Sequence, residues 1–137
     1  MPRFAGLPLV TLALGLFLGV GGASLLNAQQ PPTLKRTVVQ KGDTIDIPGR
    51  EAVMAVVEAP ANSDIARHTH PGTEVSYILE GGATLTVEGE PARELKAGDS
   101  FMIPTGKPHG GKVGPNGAKF IGVYIVEKDK PLASPAP

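Results

Sequence analysis

Glycine and proline punctuate this chain so evenly that, from Gln29 onward, no stretch free of both exceeds ten residues. A helix interior tolerates neither well, proline costing about 3 kcal/mol and glycine about 1 kcal/mol relative to alanine, so long helices have nowhere to sit. Between the breakers lie short runs rich in Val, Ile and Thr: Thr37–Gln40, Glu51–Ala59, Ile65–His70, Thr73–Glu80, Ala83–Glu88, Phe101–Ile103 and Lys119–Glu127. Strands at this spacing predict an all-β sandwich or barrel. Ala83, Leu85 and Val87 alternate with Thr84, Thr86 and Glu88, the period of a strand with one buried and one wet face, and Gly81-Gly82 before them suits a hairpin turn. Glu51–Val57 and Phe120–Val126 are apolar on both faces, which predicts central strands covered on two sides.

The first thirty residues read differently. From Phe4 to Leu34 there is no charged side chain, and Leu7 to Val20 is almost wholly apolar behind Arg3 and the α-amino group. This is the layout of a secretory signal peptide, with a cut after Ala28. An uncleaved membrane anchor is the alternative, against which Gly15, Gly19, Gly21 and Gly22 dilute the apolar stretch. Either reading exports the rest of the chain, to the periplasm or beyond the cell. The expected organisation is a signal peptide or anchor over 1–28, a flexible lead-in over 29–36, one domain over 37–130 and a disordered tail over 131–137, where three prolines and two alanines fall in seven residues.

Charge and cysteine usage exclude several functions. Thirteen Lys+Arg balance 13 Asp+Glu with no basic run, so the footprint of nucleic-acid binding is missing and no nucleic-acid partner is expected. With no cysteine, a thiolate nucleophile, an iron–sulfur cluster, a zinc ribbon, a disulfide framework and a lipoprotein anchor are all ruled out.

The chemistry rests on three histidines. His68 and His70 are separated by one residue, which on a strand sends both imidazoles to one face, about 7 Å apart along the chain. Pro71-Gly72 then turns the chain so that the next strand can present Glu74 to the same face, and His109 follows Gly106, Lys107 and Pro108 in a loop. A lone His-x-His pair arises by chance, but here every histidine of the chain falls into the constellation. Three neutral imidazoles and one carboxylate suit a borderline divalent ion, leaving about two of six octahedral positions open to a ligand.

These residues resemble a known family. Asn62 to Gly82, with His68-x-His70-x3-Glu74-x6-Gly81, and Gly98-x5-Pro104-x-Gly106-x2-His109 are similar to the two motifs of the cupin superfamily, and together span about half of the chain after Ala28. The resemblance is to small, exported, single-domain bacterial cupins, and implies an RmlC-like double-stranded β-helix, a jelly-roll-like barrel. It also implies that His68, His70, Glu74 and His109 are the ligands of one divalent transition metal, Fe, Mn, Ni, Cu or Zn, pointing into the barrel. Two positions depart from the pattern. Asn62 replaces the usual opening glycine and is the next-best residue for a positive-φ turn, whereas Val113 replaces an asparagine and so removes a polar partner near His109.

Three functional readings are open to such a site. The first is a metal-dependent oxidoreductase of the dioxygenase type acting on a small organic acid or phenolic, with Glu74 as ligand or, swung off the metal, as catalytic base. The second is a non-catalytic module that binds or senses a small molecule through the metal, and the third is a metal-free structural domain, against which the four intact ligands argue. Sugars rank lower as ligands, because after Ala28 there are only Tyr77, Phe101, Phe120 and Tyr124 to stack on, and no tryptophan. Metal affinity is expected to fall as pH drops through about 6 to 7, where free imidazole takes up its proton. The resemblance implies a homodimer formed through apolar strand faces such as Val75, Tyr77 and Leu79. The membrane is a partner only through an uncleaved N-terminal segment.

Overall fold

The structure is a computed structural model that describes residues 34–137. The expected signal peptide and most of the lead-in lie outside the described residues. Eight strands form in chain order: β1 (Lys35–Asp43), β2 (Arg50–Ala59), β3 (Asp64–Thr69), β4 (Gly72–Val87), β5 (Arg93–Lys96), β6 (Ser100–Ile103), β7 (His109–Glu127) and β8 (Ser134–Pro135). Among the described residues there is no helix, as the glycine and proline spacing requires.

The barrel is organised by its two longest strands. β4 and β7 run antiparallel from Gly72 opposite Val126 to Val87 opposite His109. On its far side β7 pairs with β2 over Ala118–Glu127 and with β3 over His109–Lys112. β1 extends the sheet beyond β2, while β5 and β6 cover successive halves of β4. One strand pair thus serves both halves of a double-stranded β-helix.

Gly81-Gly82 does not turn the chain into a hairpin. β4 passes straight through it, with register shifts between Ile78 and Glu80 and between Gly81 and Ala83. Gly81 has φ of 68°, and a Cβ there would run into the Gly117 carbonyl of β7. The pair therefore makes a bulge that bends a continuous strand, the other use of glycine within a strand. Asn62 adopts φ of 59°, as expected of a residue standing in for glycine, and its N–H donates to the Gly114 carbonyl.

The core lies between the inward faces. Val57, Ile78, Leu85, Val87, Leu95, Ile103 and Phe120 fill one end, and Val53, Ala55, Tyr124 and Val126 the other. Each buried aliphatic side chain contributes at most about 1.5–3 kcal/mol. The expectation that β2 is covered on both sides is corrected. Met54 on its outer face is 39% exposed, so β2 borders solvent there.

The C-terminal segment also departs from expectation. Instead of a disordered tail, residues 134–135 form β8 against His68 and Thr69 of β3, and the Ala136 N–H donates to the Arg67 carbonyl. β3 has an open edge there, and an extended proline-containing segment can satisfy it without needing every N–H. Likewise β1 begins at Lys35, inside the expected lead-in.

Candidate metal centre

The fold brings together all four residues singled out by spacing. His68 near the end of β3 stands directly opposite His109, the first residue of β7. His70 stands in the link between β3 and β4, where its carbonyl accepts the Gly106 N–H, and Glu74 sits on β4. The three imidazole centroids lie 4.3, 4.8 and 5.1 Å apart, and one ring nitrogen from each histidine lies within 4.8 Å of the others. His70, Glu74 and His109 are buried, and His68 is partly exposed.

Each imidazole is held by its own carbonyl. Nδ1 of His68 lies 2.8 Å from the Ala66 oxygen, Nδ1 of His70 2.5 Å from the Leu132 oxygen, and Nδ1 of His109 2.9 Å from the Lys107 oxygen. A carbonyl only accepts, so each Nδ1 carries the proton and donates it, leaving the Nε2 lone pair free. The missing asparagine at Val113 therefore does not leave His109 loose. Val113 is instead core, packed with Ala59 and Ala118.

The carboxylate of Glu74 stands beside two of the three imidazoles. Ser76 donates its hydroxyl to Glu74 Oε1 at 2.7 Å, which turns Oε2 toward His70 Nε2 at 3.1 Å and His109 Nε2 at 3.3 Å. Despite these short separations, both Nε2 atoms are buried without a hydrogen-bond partner. Lone pairs facing a carboxylate oxygen repel unless a cation stands between them, so the donor set fits a divalent metal. Burial opposes the charge on Glu74, but a proton or cation at the His109 and His70 Nε2 atoms, with the Ser76 hydroxyl, outweighs it and holds the carboxyl well below the usual carboxylate range. Burial, with His109 and His70 adding to it, lowers His68 to about 4.

Two neighbours carried no sequence signal. Tyr124 of β7 is directly across from Glu74, fully buried, with its ring 4.9 Å from that of His70. Its neighbour Gly122 makes the space, since a Cβ there would lie 2.5 Å from the phenol oxygen. Burial and the Glu74 charge push the phenol up to about 12, so it stays protonated at neutral pH. Arg36 of β1 places its guanidinium carbon 5.6 Å from the Tyr124 ring centroid. Arg36 and His68 both line a cavity of about 720 Å³, walled also by Leu34, Asn62, Ile65 and Ser134.

Residues 55–124 match a family model described as a cupin domain. The dimethylsulfoniopropionate lyase DddQ of Ruegeria pomeroyi is 43% identical over 54 residues, 39% of this chain and 27% of that protein. DddW, a second dimethylsulfoniopropionate lyase of that organism, is 32% identical over 71 residues, 52% of this chain and 46% of that protein. The chain thus spans less than half the length of these relatives. The crystal structure of DddQ superposes with a TM-score of 0.59 at 27% identity, covering 62% of this chain and 43% of DddQ. A conserved double-stranded β-helix protein of Klebsiella pneumoniae superposes with a TM-score of 0.60 at 25% identity, covering 78% and 88%.

Proposed function

The chain belongs to the cupin family, and on that premise we propose that it is an exported, metal-dependent enzyme that cleaves a small organic acid as a lyase. His68, His70, Glu74 and His109 hold one divalent transition metal, of the set Fe, Mn, Ni, Cu and Zn. The observation that carries this reading is the convergence of buried, partnerless Nε2 atoms on one carboxylate oxygen. A bound ion supplies Lewis acidity to a substrate oxygen.

The chain's own residues position everything else. Carbonyls of Ala66, Leu132 and Lys107 fix the three imidazoles, and Ser76 fixes Glu74. So acidic a carboxyl is a poor base, which favours Glu74 as ligand over the catalytic-base role. The cavity beside His68 gives a small substrate its entry. Lyase chemistry is preferred to dioxygenase chemistry because DddQ and DddW are lyases, each similar over part of its length. Self-association through Val75, Tyr77 and Leu79, each more than a third exposed, belongs to the same proposal.

The test is an anaerobic and an aerobic assay of the metal-loaded chain with dimethylsulfoniopropionate. Release of dimethyl sulfide in both, lost in His109→Ala, is the expected result. Dioxygen consumption with small acids or phenolics but no cleavage would support the oxidoreductase reading instead. Saturable metal-dependent ligand binding with no turnover would support the binding module.

A further inference from the structure

The cavity beside the metal centre is built by three segments far apart in the chain: Leu34 and Arg36 where β1 begins, the turn and strand from Ala61 to His68, and Ala133–Pro135 of the C-terminal segment. His68 is the only one of the three histidines on its wall, and the only one of them that is not fully buried. The cavity therefore opens onto the cluster through that imidazole. At about 720 Å³ it lies within the range, about 300–1,000 Å³, of pockets that enclose ligands of drug-like size.

The charged groups on its wall are answered within the chain. Asp64 pairs with Lys112 at 3.1 Å, and Arg67 pairs with Glu88 at 2.6 Å while its Nε donates to the Pro137 carbonyl. Arg36 holds its guanidinium carbon 5.6 Å from the Tyr124 ring centroid, and Ser63 donates its hydroxyl to the Pro60 carbonyl. What the wall offers a ligand is therefore mainly apolar, from Leu34, Ala61, Ile65, Ala66, Ala133 and Pro135. Water against these side chains gains no hydrogen bond from them, and an apolar group that displaces it is favoured.

We propose that this cavity holds an apolar body of the ligand, so that the substrate class is amphipathic monocarboxylic acids. The acid head lies toward His68 and the metal, and an alkyl or aromatic body of several carbons lies in the cavity. Acids hydroxylated along their body are selected against, because each hydroxyl would shed water without gaining a partner from the apolar wall. The acid head rests on the proposed function. The body does not, because the wall is apolar with or without an ion.

Calorimetric titration of the full chain, zinc-loaded and metal-free, with butyrate, hexanoate and octanoate tests the assignment. Each added methylene should tighten binding by about two- to fourfold in both forms, and zinc should tighten all three acids by a similar factor. The ω-hydroxy analogue of hexanoate should bind about tenfold more weakly than hexanoate. Ala61→Gln and Ala133→Gln each place an amide on the cavity wall, and should flatten the chain-length dependence without moving zinc affinity. Ala61 is exposed in the turn before β3, so its variant carries the test alone should Ala133→Gln fail to fold. No binding, affinity that does not rise with chain length, or a rise that the variants leave intact would overturn the apolar body. A rise with chain length that is identical with and without zinc in strength as well as slope would keep the body and overturn the acid head at the metal.

Discussion

That His68, His70, Glu74 and His109 meet was legible through the two motifs this chain shares with cupins rather than through strand periodicity, because His70 lies beyond the end of β3 and His109 opens β7. Arg36 and Tyr124 were not, because what makes them matter is a contact between strands 88 positions apart in the chain. Their neighbours left no pattern: β1 is exposed except at Arg36, and Tyr124 reads as one more aromatic in an apolar run. The space Gly122 leaves for the phenol suggests a residue-level test. Gly122→Ala would put a methyl group 2.5 Å from the Tyr124 oxygen, and should destabilise the fold by about 1–3 kcal/mol, read as a lower urea midpoint at unchanged m. A midpoint equal to wild type would mean that Tyr124 does not lie over Gly122. His109→Ala, whose side chain donates to a carbonyl and faces a cluster of polar groups, should lower metal affinity far more than about tenfold while leaving the circular dichroism spectrum native.

At the level of elements, the strand content was readable from glycine and proline spacing, and apart from the covering of β2 the errors were about where a strand continues. Gly81-Gly82 looks the same in a hairpin turn and in a bulge. What decides is that β7 runs alongside and needs Gly81 to give way to its Gly117 carbonyl, a long-range fact. The C-terminal segment was misread for a similar reason: proline-rich composition suggests a tail, but β3 presents an open edge for β8 to fill. That segment also reaches the site, since the Leu132 carbonyl receives the His70 Nδ1 proton. Removing residues 131–137 should therefore weaken metal binding about 10–100-fold. Competition with a metal chelator on the truncated and the full chain measures this. Equal affinities would show that Leu132 does not orient His70.

For the whole molecule, the barrel does what a cupin domain of this size must: it turns strand ends inward at one site and leaves a cavity open beside it. The buried share of its acid response comes from two depressed groups at the site, His68 and Glu74. In the metal-free protein His68 stays neutral down to about 4, while in the unfolded chain it takes up a proton near its ordinary 6.5. Between those values the unfolded state binds more protons, so stability is full above about 6.5 and is lost progressively as pH falls toward 4. Glu74 acts in the same direction at lower pH, since its folded carboxyl stays ionised below the pH at which the unfolded one protonates. The thermal midpoint of the metal-free chain should thus fall steadily from pH 7 to pH 4, and a flat profile would contradict the burial of His68. At His68 the proton's competition with a metal likewise moves down from the free-imidazole range of about 6 to 7 toward 4. Bound metal should raise the midpoint by mass action.

The most direct test of the metal centre is the metal content of the purified chain, measured by elemental analysis beside His68→Ala, His70→Ala, Glu74→Ala and His109→Ala. Close to one divalent transition metal per chain in the wild type, and markedly less in each folded variant, is the predicted result. A wild type that holds no metal and takes none up, or variants that keep a full equivalent, would contradict it.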